Sequence, residues 1–145
     1  SDISLFDFVM GDNGGSMQAV TQYLNLWARE VDKMEHFHLL RYEDLRARPR
    51  EELRRMLDFM QVEATETQIN AAVDYSSYEN MKKMEGSQQL RLAGGRMMPR
   101  DKDNPNSFKV RRAKVGGYRD YFSDDEVAAI DARLAETLTP LFSYK

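Results

Sequence analysis

The sequence predicts an α/β fold that is mostly helical and contains one strand of a parallel sheet. Apolar residues recur at helical spacing in several segments, and hydroxyl residues suited to capping precede three helical segments. One short apolar run, residues 36–42, is followed by two acidic residues, as expected of a buried strand that leads into a loop. A chain of 145 residues has the usual size of one domain, so we expect residues 1–145 to form one cooperative unit.

The first predicted helix covers residues 16–34 and is capped at Ser16. Trp27, the only tryptophan, lies on the apolar stripe of this helix, so we expect it in the core. The stripe consists of residues three or four positions apart: Met17, Val20, Leu24, Trp27, Val31 and Met34.

The predicted strand, residues 36–42, requires neighbouring strands because one strand cannot satisfy its own ladder of hydrogen bonds. These neighbours come either from an N-terminal segment that is missing here or from another copy of the chain. His36 and His38 share one face of the strand, but no third ligand at a supporting spacing favours a metal site over ordinary hydrogen-bonded histidines. Glu43 and Asp44 are interpreted as residues that end the strand rather than as an acid and base pair.

Four later features mark further helices. Pro49 suits the first position of a helix, and Pro140 ends the last one after about Leu138. Capping boxes, in which a hydroxyl and a residue three positions later satisfy amides reciprocally, mark three more helix starts. The pairs are Thr65 with Gln68, Ser76 with Glu79, and Ser123 with Glu126.

Charge is distributed unevenly along the chain. The formal charge is -3, but residues 91–119 hold nine basic and two acidic side chains, so this segment carries +7 and the remainder -10. Residues 86–107 lack periodicity and contain three glycines and two prolines, which predicts a long, mobile basic loop. A positive segment on an otherwise negative chain predicts an anionic ligand, whereas a solvated loop or a nucleic-acid contact is the alternative.

Composition excludes several classes of protein. The absence of cysteine excludes a disulfide scaffold and a thiol nucleophile, and no apolar run is long enough for a membrane span. We therefore expect a soluble, cytoplasmic protein without a metal site, a membrane partner or a nucleic-acid partner. Met97 and Met98 in the basic loop are candidates for lining an apolar ligand pocket.

Three segments, residues 40–45, 76–83 and 110–119, follow one another in an order and spacing that resembles sulfotransferases that use 3'-phosphoadenosine-5'-phosphosulfate (PAPS). Leu-Arg-Tyr-Glu-Asp-Leu at residues 40–45, with the helix after Pro49, resembles the family's strand, Tyr-Glu-Asp turn and helix. Ser-Ser-Tyr-Glu-Asn-Met-Lys-Lys at residues 76–83 resembles its Thr-Ser-Phe-x-x-Met-Lys-Lys segment. Val-Arg-Arg-Ala-Lys-Val-Gly-Gly-Tyr-Arg at residues 110–119 resembles its Arg-Lys-Gly-x-x-Gly-Asp-Trp-Lys loop.

The resemblance implies a nucleotide site. Arg111 and Arg112 match the pair that holds the donor's 3'-phosphate, and Gly116 matches the later glycine of that loop, which covers about residues 109–119. Tyr42 and Ser76 match positions beside the adenine. A pair of guanidinium forks also suits a phosphate dianion on chemical grounds alone.

The loop departs from the family pattern at three places. Ala113 replaces the first loop glycine, Arg112 replaces the lysine, and Gly117-Tyr118 replaces Asp-Trp. Ala113 removes a position where the backbone could turn freely toward phosphate. These departures weaken the case for donor contacts throughout this loop.

The resemblance covers the C-terminal half of the family's P-loop-type fold. Neither a Gly-x-x-x-x-Gly-Lys-Ser/Thr string nor the family's Pro-Lys-Ser-Gly-Thr-Thr version occurs, and no general base is identified, so the catalytic residues are unknown. In the intact enzyme we expect transfer of a sulfuryl group from PAPS to a hydroxyl or amine of a small-molecule acceptor. We expect this chain alone to be inactive.

A non-catalytic helical interaction module derived from the same fold is the alternative function. A truncated coding region would also explain a chain that lacks the phosphosulfate loop. Either reading leaves an exposed sheet edge, through which we expect possible self-association.

Overall fold

A computed structural model describes residues 3–12, 15–87, 99, 101, 103–104, 107–110, 113–142 and 144. All regular secondary structure in these residues is helical. The α-helices are α1 (Leu5–Met10), α2 (Ser16–Glu30), α3 (Tyr42–Ala47), α4 (Pro49–Phe59), α5 (Glu66–Tyr75), α6 (Tyr78–Gly86) and α7 (Asp124–Thr137), and short 3-10 helices cover Val31–Lys33, Gly117–Tyr121 and Pro140–Phe142.

The predicted α/β fold with a parallel-sheet strand at residues 36–42 is wrong. Residues 37–41 are irregular, and Phe37 and Leu39 are each 37% exposed instead of buried. An apolar run predicts burial, but a strand also needs a neighbouring ladder, and the described residues include no strand. The sheet edge predicted for self-association loses its basis with the strand.

Glu43 and Asp44 begin a helix instead of ending a strand. Both lie in the first turn of α3, where carboxylates interact favourably with the positive end of the helix dipole. Arg41, the residue before α3, lies 3.9 Å from Glu43 and 4.0 Å from Asp44, measured between side-chain nitrogen and oxygen. This local electrostatic preference starts a helix at Tyr42, the last residue of the predicted strand.

The chain divides into two compact units, each described here by itself. The terminal unit comprises Ser1–Leu39 and Gly116–Lys145, and the central unit comprises Leu40–Val115. The expected single domain concerns cooperativity of unfolding and stays a prediction.

In the terminal unit, α2 packs against both α1 and α7. Val127 and Ile130 of α7 are buried together with Phe142 of the last 3-10 helix. The rings of Phe6 and Phe122 meet edge to face at 6.4 Å between centroids, a favoured aromatic geometry. This small core fixes the helix that follows the predicted phosphate loop.

The predicted first helix is confirmed over Ser16–Glu30, but its inward face differs from the prediction. Gly15 rather than Ser16 is the N-cap, and Thr21 is the buried residue of the helix. Trp27 is 42% exposed and meets Tyr23 edge to face, so its assignment to the core is wrong. Helical periodicity predicts which residues share a face, but not whether that face meets a neighbour.

In the central unit, consecutive helices pack against each other from α3 to α6. Ile69 of α5 is buried, and polar side chains join α4 to α5. Arg50 donates to Asn70 at 2.6 Å and pairs with Asp74 at 3.2 Å, and Arg54 forms a bidentate pair with Glu66. These contacts hold α4 and α5 side by side.

Two of the three predicted capping boxes are confirmed. Thr65 with Gln68 caps α5, and Ser123 with Glu126 caps α7, with both reciprocal bonds present. The third is wrong by one residue, because Ser77 accepts from the Asn80 amide and caps α6. Pro49 begins α4, and α7 ends at Thr137 before Pro140, both as predicted.

Asn25 of α2 fastens the end of α7 within the terminal unit. Its Nδ2 donates to the carbonyl oxygen of Thr137 at 2.6 Å, and its Oδ1 accepts from the amide of Thr139 at 2.9 Å. Both backbone groups lie at a helix end, where no partner within the helix is available. One side-chain amide therefore satisfies a donor and an acceptor at once.

We expect Asn25→Asp to lower the free energy of unfolding by about 1–2 kcal/mol, because a carboxylate cannot donate to the Thr137 carbonyl. Urea unfolding followed by circular dichroism measures the change. The control is Gln22→Glu, which adds the same charge at an exposed position of α2. Equal effects of the two variants would show that charge, and not the lost donor, is responsible.

Candidate functional site

A cleft of about 530 Å³ lies within the central unit, among α3, α4, α5 and α6. We call it the α3–α6 cleft. Its walls include the predicted site residues Tyr42, Ser76 and Ala113. Its apolar surface comes mainly from Leu40, Leu45, Leu53, Met56, Val73 and Met81.

Tyr42 lies at the N-terminus of α3, and Ser76 lies at the C-terminus of α5. Tyr42 is the first residue of α3 and is 48% exposed, so its ring is available to a ligand in the cleft. Ser76 is the C-cap of α5, and its hydroxyl donates to the carbonyl oxygen of Ala72 at 2.8 Å. Because that bond uses the hydroxyl proton, the oxygen of Ser76 can offer a ligand only acceptor capacity.

Ala113 adopts the backbone conformation that its replaced glycine would favour. Its φ is +48°, in the left-handed region. This region is unfavourable in free energy for a residue that has a Cβ atom. The position that the family motif gives to glycine thus has a left-handed backbone in this chain. Alanine raises the steric cost of this conformation, but Ala113 adopts it nonetheless.

Charged groups at the cleft are balanced in sign. Arg46 and Arg50 bring positive charge to the lining, and Asp74 and Glu79 bring negative charge. Arg50 is already paired with Asp74. The described lining thus suits a flat, largely apolar group such as a nucleobase better than a phosphate.

Arg111 and Arg112, the predicted 3'-phosphate ligands, lie outside the described residues. The residues on either side of the pair are described. Val110, before the pair, donates its amide to Glu85 at 2.7 Å, and Ala113, after the pair, lines the cleft. Met97, Met98 and most of the predicted basic loop 86–107 are likewise outside the described residues.

Glu85 is a residue that the sequence reasoning missed. It is 1% exposed, and its two carboxylate oxygens accept the backbone amides of Lys109 and Val110. The available signal was its position on α6, because Tyr78, Met81 and Glu85 follow each other at spacings of three and four and share a face. An acidic residue on an inward helical face predicts a buried polar contact.

Gly116 belongs to the terminal unit and has a left-handed φ of +69°. A Cβ atom built at Gly116 would meet no atom within 4 Å, so conformation and not space favours glycine there. The 3-10 helix Gly117–Tyr121 follows directly. Gly116 therefore turns the chain within the predicted phosphate loop, residues 109–119.

Asp131 of α7 holds the residues after this turn. The Tyr118 hydroxyl donates to Asp131 at 2.5 Å, and the Arg119 guanidinium pairs with the other carboxylate oxygen at 2.7 Å. The Tyr118 hydrogen bond, followed by Arg119, lowers the pKa of Asp131 below its ordinary value. Burial, followed by the bond to Asp131, raises the pKa of Tyr118.

The acidic residues at the start of α3 and possible metal ligands were both considered from the sequence. Glu43 and Asp44 face Arg41, and Asp44 also pairs with Arg48 at 3.1 Å. Over the part of the chain that the structure describes, no cluster of three or more histidine, aspartate or glutamate side chains is placed to hold a metal ion. Within the same part, no helix combines the length and the apolar surface needed to cross a membrane.

Comparison with known proteins identifies the family. The model of the sulfotransferase domain matches residues 5–141. The chain belongs to the sulfotransferase family. The resemblance of the three motifs is thereby confirmed at the level of the family.

Curated relatives of this sulfotransferase chain are plant proteins. It is 26% identical over 120 residues to cytosolic sulfotransferase 15 of Arabidopsis thaliana, a match that covers 79% of this chain and 31% of that protein. It is 26% identical over 121 residues to flavonol 4'-sulfotransferase of Flaveria chlorifolia, with 80% and 36% covered. The chain thus spans about a third of the length of the relatives it matches. No solved structure matches it.

We expect Ala113→Gly to raise the free energy of unfolding by about 1 kcal/mol, because glycine adopts a left-handed φ without the steric cost. Thermal and urea unfolding measure the change. The matched control is Ala72→Gly, in the middle of α5, which should lower stability by about 1 kcal/mol. If both variants lower stability, the result would contradict the steric cost assigned to the left-handed φ of Ala113.

We expect Asp131→Asn to destabilise the protein at pH 7 and to do so less as the pH falls. The pKa of this carboxyl group is lower in the folded than in the unfolded state. The group therefore stabilises the folded state fully at pH values above its unfolded pKa, about 3.9. This stabilisation is lost as the pH falls through the folded pKa. Urea unfolding at several values between about pH 7 and pH 3 measures it. A difference that stays constant over this range would contradict the role of the ionised carboxylate.

Proposed function

We propose that this chain supplies the adenosine and 3'-phosphate site of a sulfotransferase that uses PAPS. In the intact enzyme, a sulfuryl group would pass from PAPS to a hydroxyl or amine of a small-molecule acceptor. A cytosolic location, as in the names of the relatives, is part of this proposal. The α3–α6 cleft would take the adenine, and Arg111 with Arg112 would bind the 3'-phosphate.

The observation that carries the proposal is the meeting of Tyr42, Ser76 and Ala113 in one cleft. They come from three separate motifs, and the resemblance assigns all three to the nucleotide site. The family match over residues 5–141 supports the same assignment.

The chemistry of the cleft fits a nucleobase. An exposed tyrosine ring and a methionine-containing apolar wall suit the flat face of adenine. The Ser76 hydroxyl donates to the carbonyl oxygen of Ala72, and its oxygen can accept a hydrogen bond from the exocyclic amine of adenine. Phosphate binding falls to the arginine pair, because the cleft itself is balanced in charge.

Transfer itself requires groups that this sequence does not provide. The acceptor oxygen or nitrogen attacks sulfur, the bond between sulfur and the phosphate oxygen breaks, and the acceptor's proton passes to a base. Adenosine 3',5'-bisphosphate (PAP) is the leaving product. No phosphosulfate loop motif occurs in the sequence, so binding of PAP, and not turnover, is the activity proposed for the chain by itself.

We expect calorimetric titration with PAP to show binding that weakens about 100-fold in an Arg111→Ala, Arg112→Ala double variant, the equivalent of two charge-assisted hydrogen bonds. The matched control is Arg29→Ala, Lys33→Ala, which removes two exposed positive charges from the terminal unit. Equal affinity of the double variant and the unmutated protein would remove the arginine pair from the site. Absence of PAP binding by the unmutated protein would favour the alternative of a non-catalytic interaction module.

A further inference from the structure

Glu85 is a buried carboxylate whose partners are backbone amides. It is 1% exposed, its Oε1 accepts from the amide of Lys109, and its Oε2 accepts from the amide of Val110 at 2.7 Å. Burial of a charged group is costly unless hydrogen bonds compensate it. Two amide donors, one on each oxygen, provide that compensation here.

Glu52, the other strongly buried carboxylate described in the central unit, is used differently. It is 3% exposed and pairs with Arg55 at 3.1 Å and with Arg48 at 3.5 Å, beside its own helix. Glu85 instead reaches a segment 24 and 25 positions later in the chain. A buried glutamate that joins a helix to a distant loop segment constrains the path of that loop.

The position of Glu85 relates this constraint to the proposed site. Tyr78 and Met81, on the same face of α6, line the α3–α6 cleft. Val110 directly precedes the arginine pair, and Ala113 directly follows it and lines the cleft. In the sequence, only the two arginines separate Val110, whose amide is bound by Glu85, from Ala113 at the cleft.

We propose that Glu85 is a positioning residue for the nucleotide's 3'-phosphate. It fixes the backbone at Lys109 and Val110, directly before the two arginines to which the proposed function assigns the phosphate. The inference rests on the proposed function, because it assigns Glu85 a part in the same site. An ionised carboxylate is suited to the task, since it accepts hydrogen bonds at both oxygens.

Glu85→Gln tests the proposal, because the amide side chain keeps the size of glutamate but can accept at one oxygen only. Affinities for PAP and for adenosine 5'-monophosphate, which lacks the 3'-phosphate, are measured by calorimetry. Their ratio reports 3'-phosphate recognition separately from adenine binding. We expect Glu85→Gln to lower the ratio about tenfold, the equivalent of one charge-assisted hydrogen bond.

Glu52→Gln is the matched control, because it neutralises a buried carboxylate in the same unit whose ion pairs are with Arg48 and Arg55. It is expected to lower thermal stability and leave the ratio unchanged. An unchanged ratio in Glu85→Gln, or an equal fall in both variants, overturns the positioning role. If the unmutated protein does not prefer PAP to adenosine 5'-monophosphate, the proposed function itself is overturned. This outcome differs from those that overturn only the positioning role of Glu85.

Amide hydrogen exchange on the unmutated protein provides a second test that does not depend on the folding of a variant. We expect the amides of Lys109 and Val110 to be protected without nucleotide, since Glu85 already holds them. Exchange of both at the rate of an unstructured chain overturns the proposal. If Glu85→Gln does not fold, Glu85→Asp, which keeps the charge on a shorter side chain, replaces it in the affinity measurements with the same expected fall in the ratio.

Discussion

A single buried carboxylate, that of Glu85, accepts hydrogen bonds from both backbone amides that directly precede the arginine pair. A buried carboxylate is costly without hydrogen-bond donors, so the position of Glu85 on α6 restricts where the segment that donates to it can run. The same face of α6 contributes Tyr78 and Met81 to the α3–α6 cleft. One helix thus shapes the wall of the cleft and holds the loop that the proposed phosphate site needs.

Local signals predicted α2, α4, α5 and α7, because caps and periodicity are encoded within a few residues, whereas α1 and α3 were not predicted. Pro49, the Thr65 box and the Ser123 box act where the sequence placed them. The strand at residues 36–42 failed for a different reason. Its prediction depended on partners that no local pattern specifies, and the dipole preference of Glu43 and Asp44 favoured a helix at its end.

The candidate site was predicted mainly through the resemblance, residue by residue. Tyr42, Ser76 and Ala113 do meet in one cleft, although Ser76 caps the end of α5 and not the start of α6. The role of Glu85 was not predicted, because a glutamate in a charged helix is ordinarily solvated. Its partners are backbone amides, which carry no sequence signature. The roles of Arg111 and Arg112 stay predictions.

A crystal structure of this chain with PAP bound tests the central claim most directly. The account predicts adenine in the α3–α6 cleft beside Tyr42 and Ser76, the 3'-phosphate on the guanidinium groups of Arg111 and Arg112, and Glu85 still bonded to the amides of Lys109 and Val110. A nucleotide bound elsewhere on the protein, with the cleft empty, would contradict it.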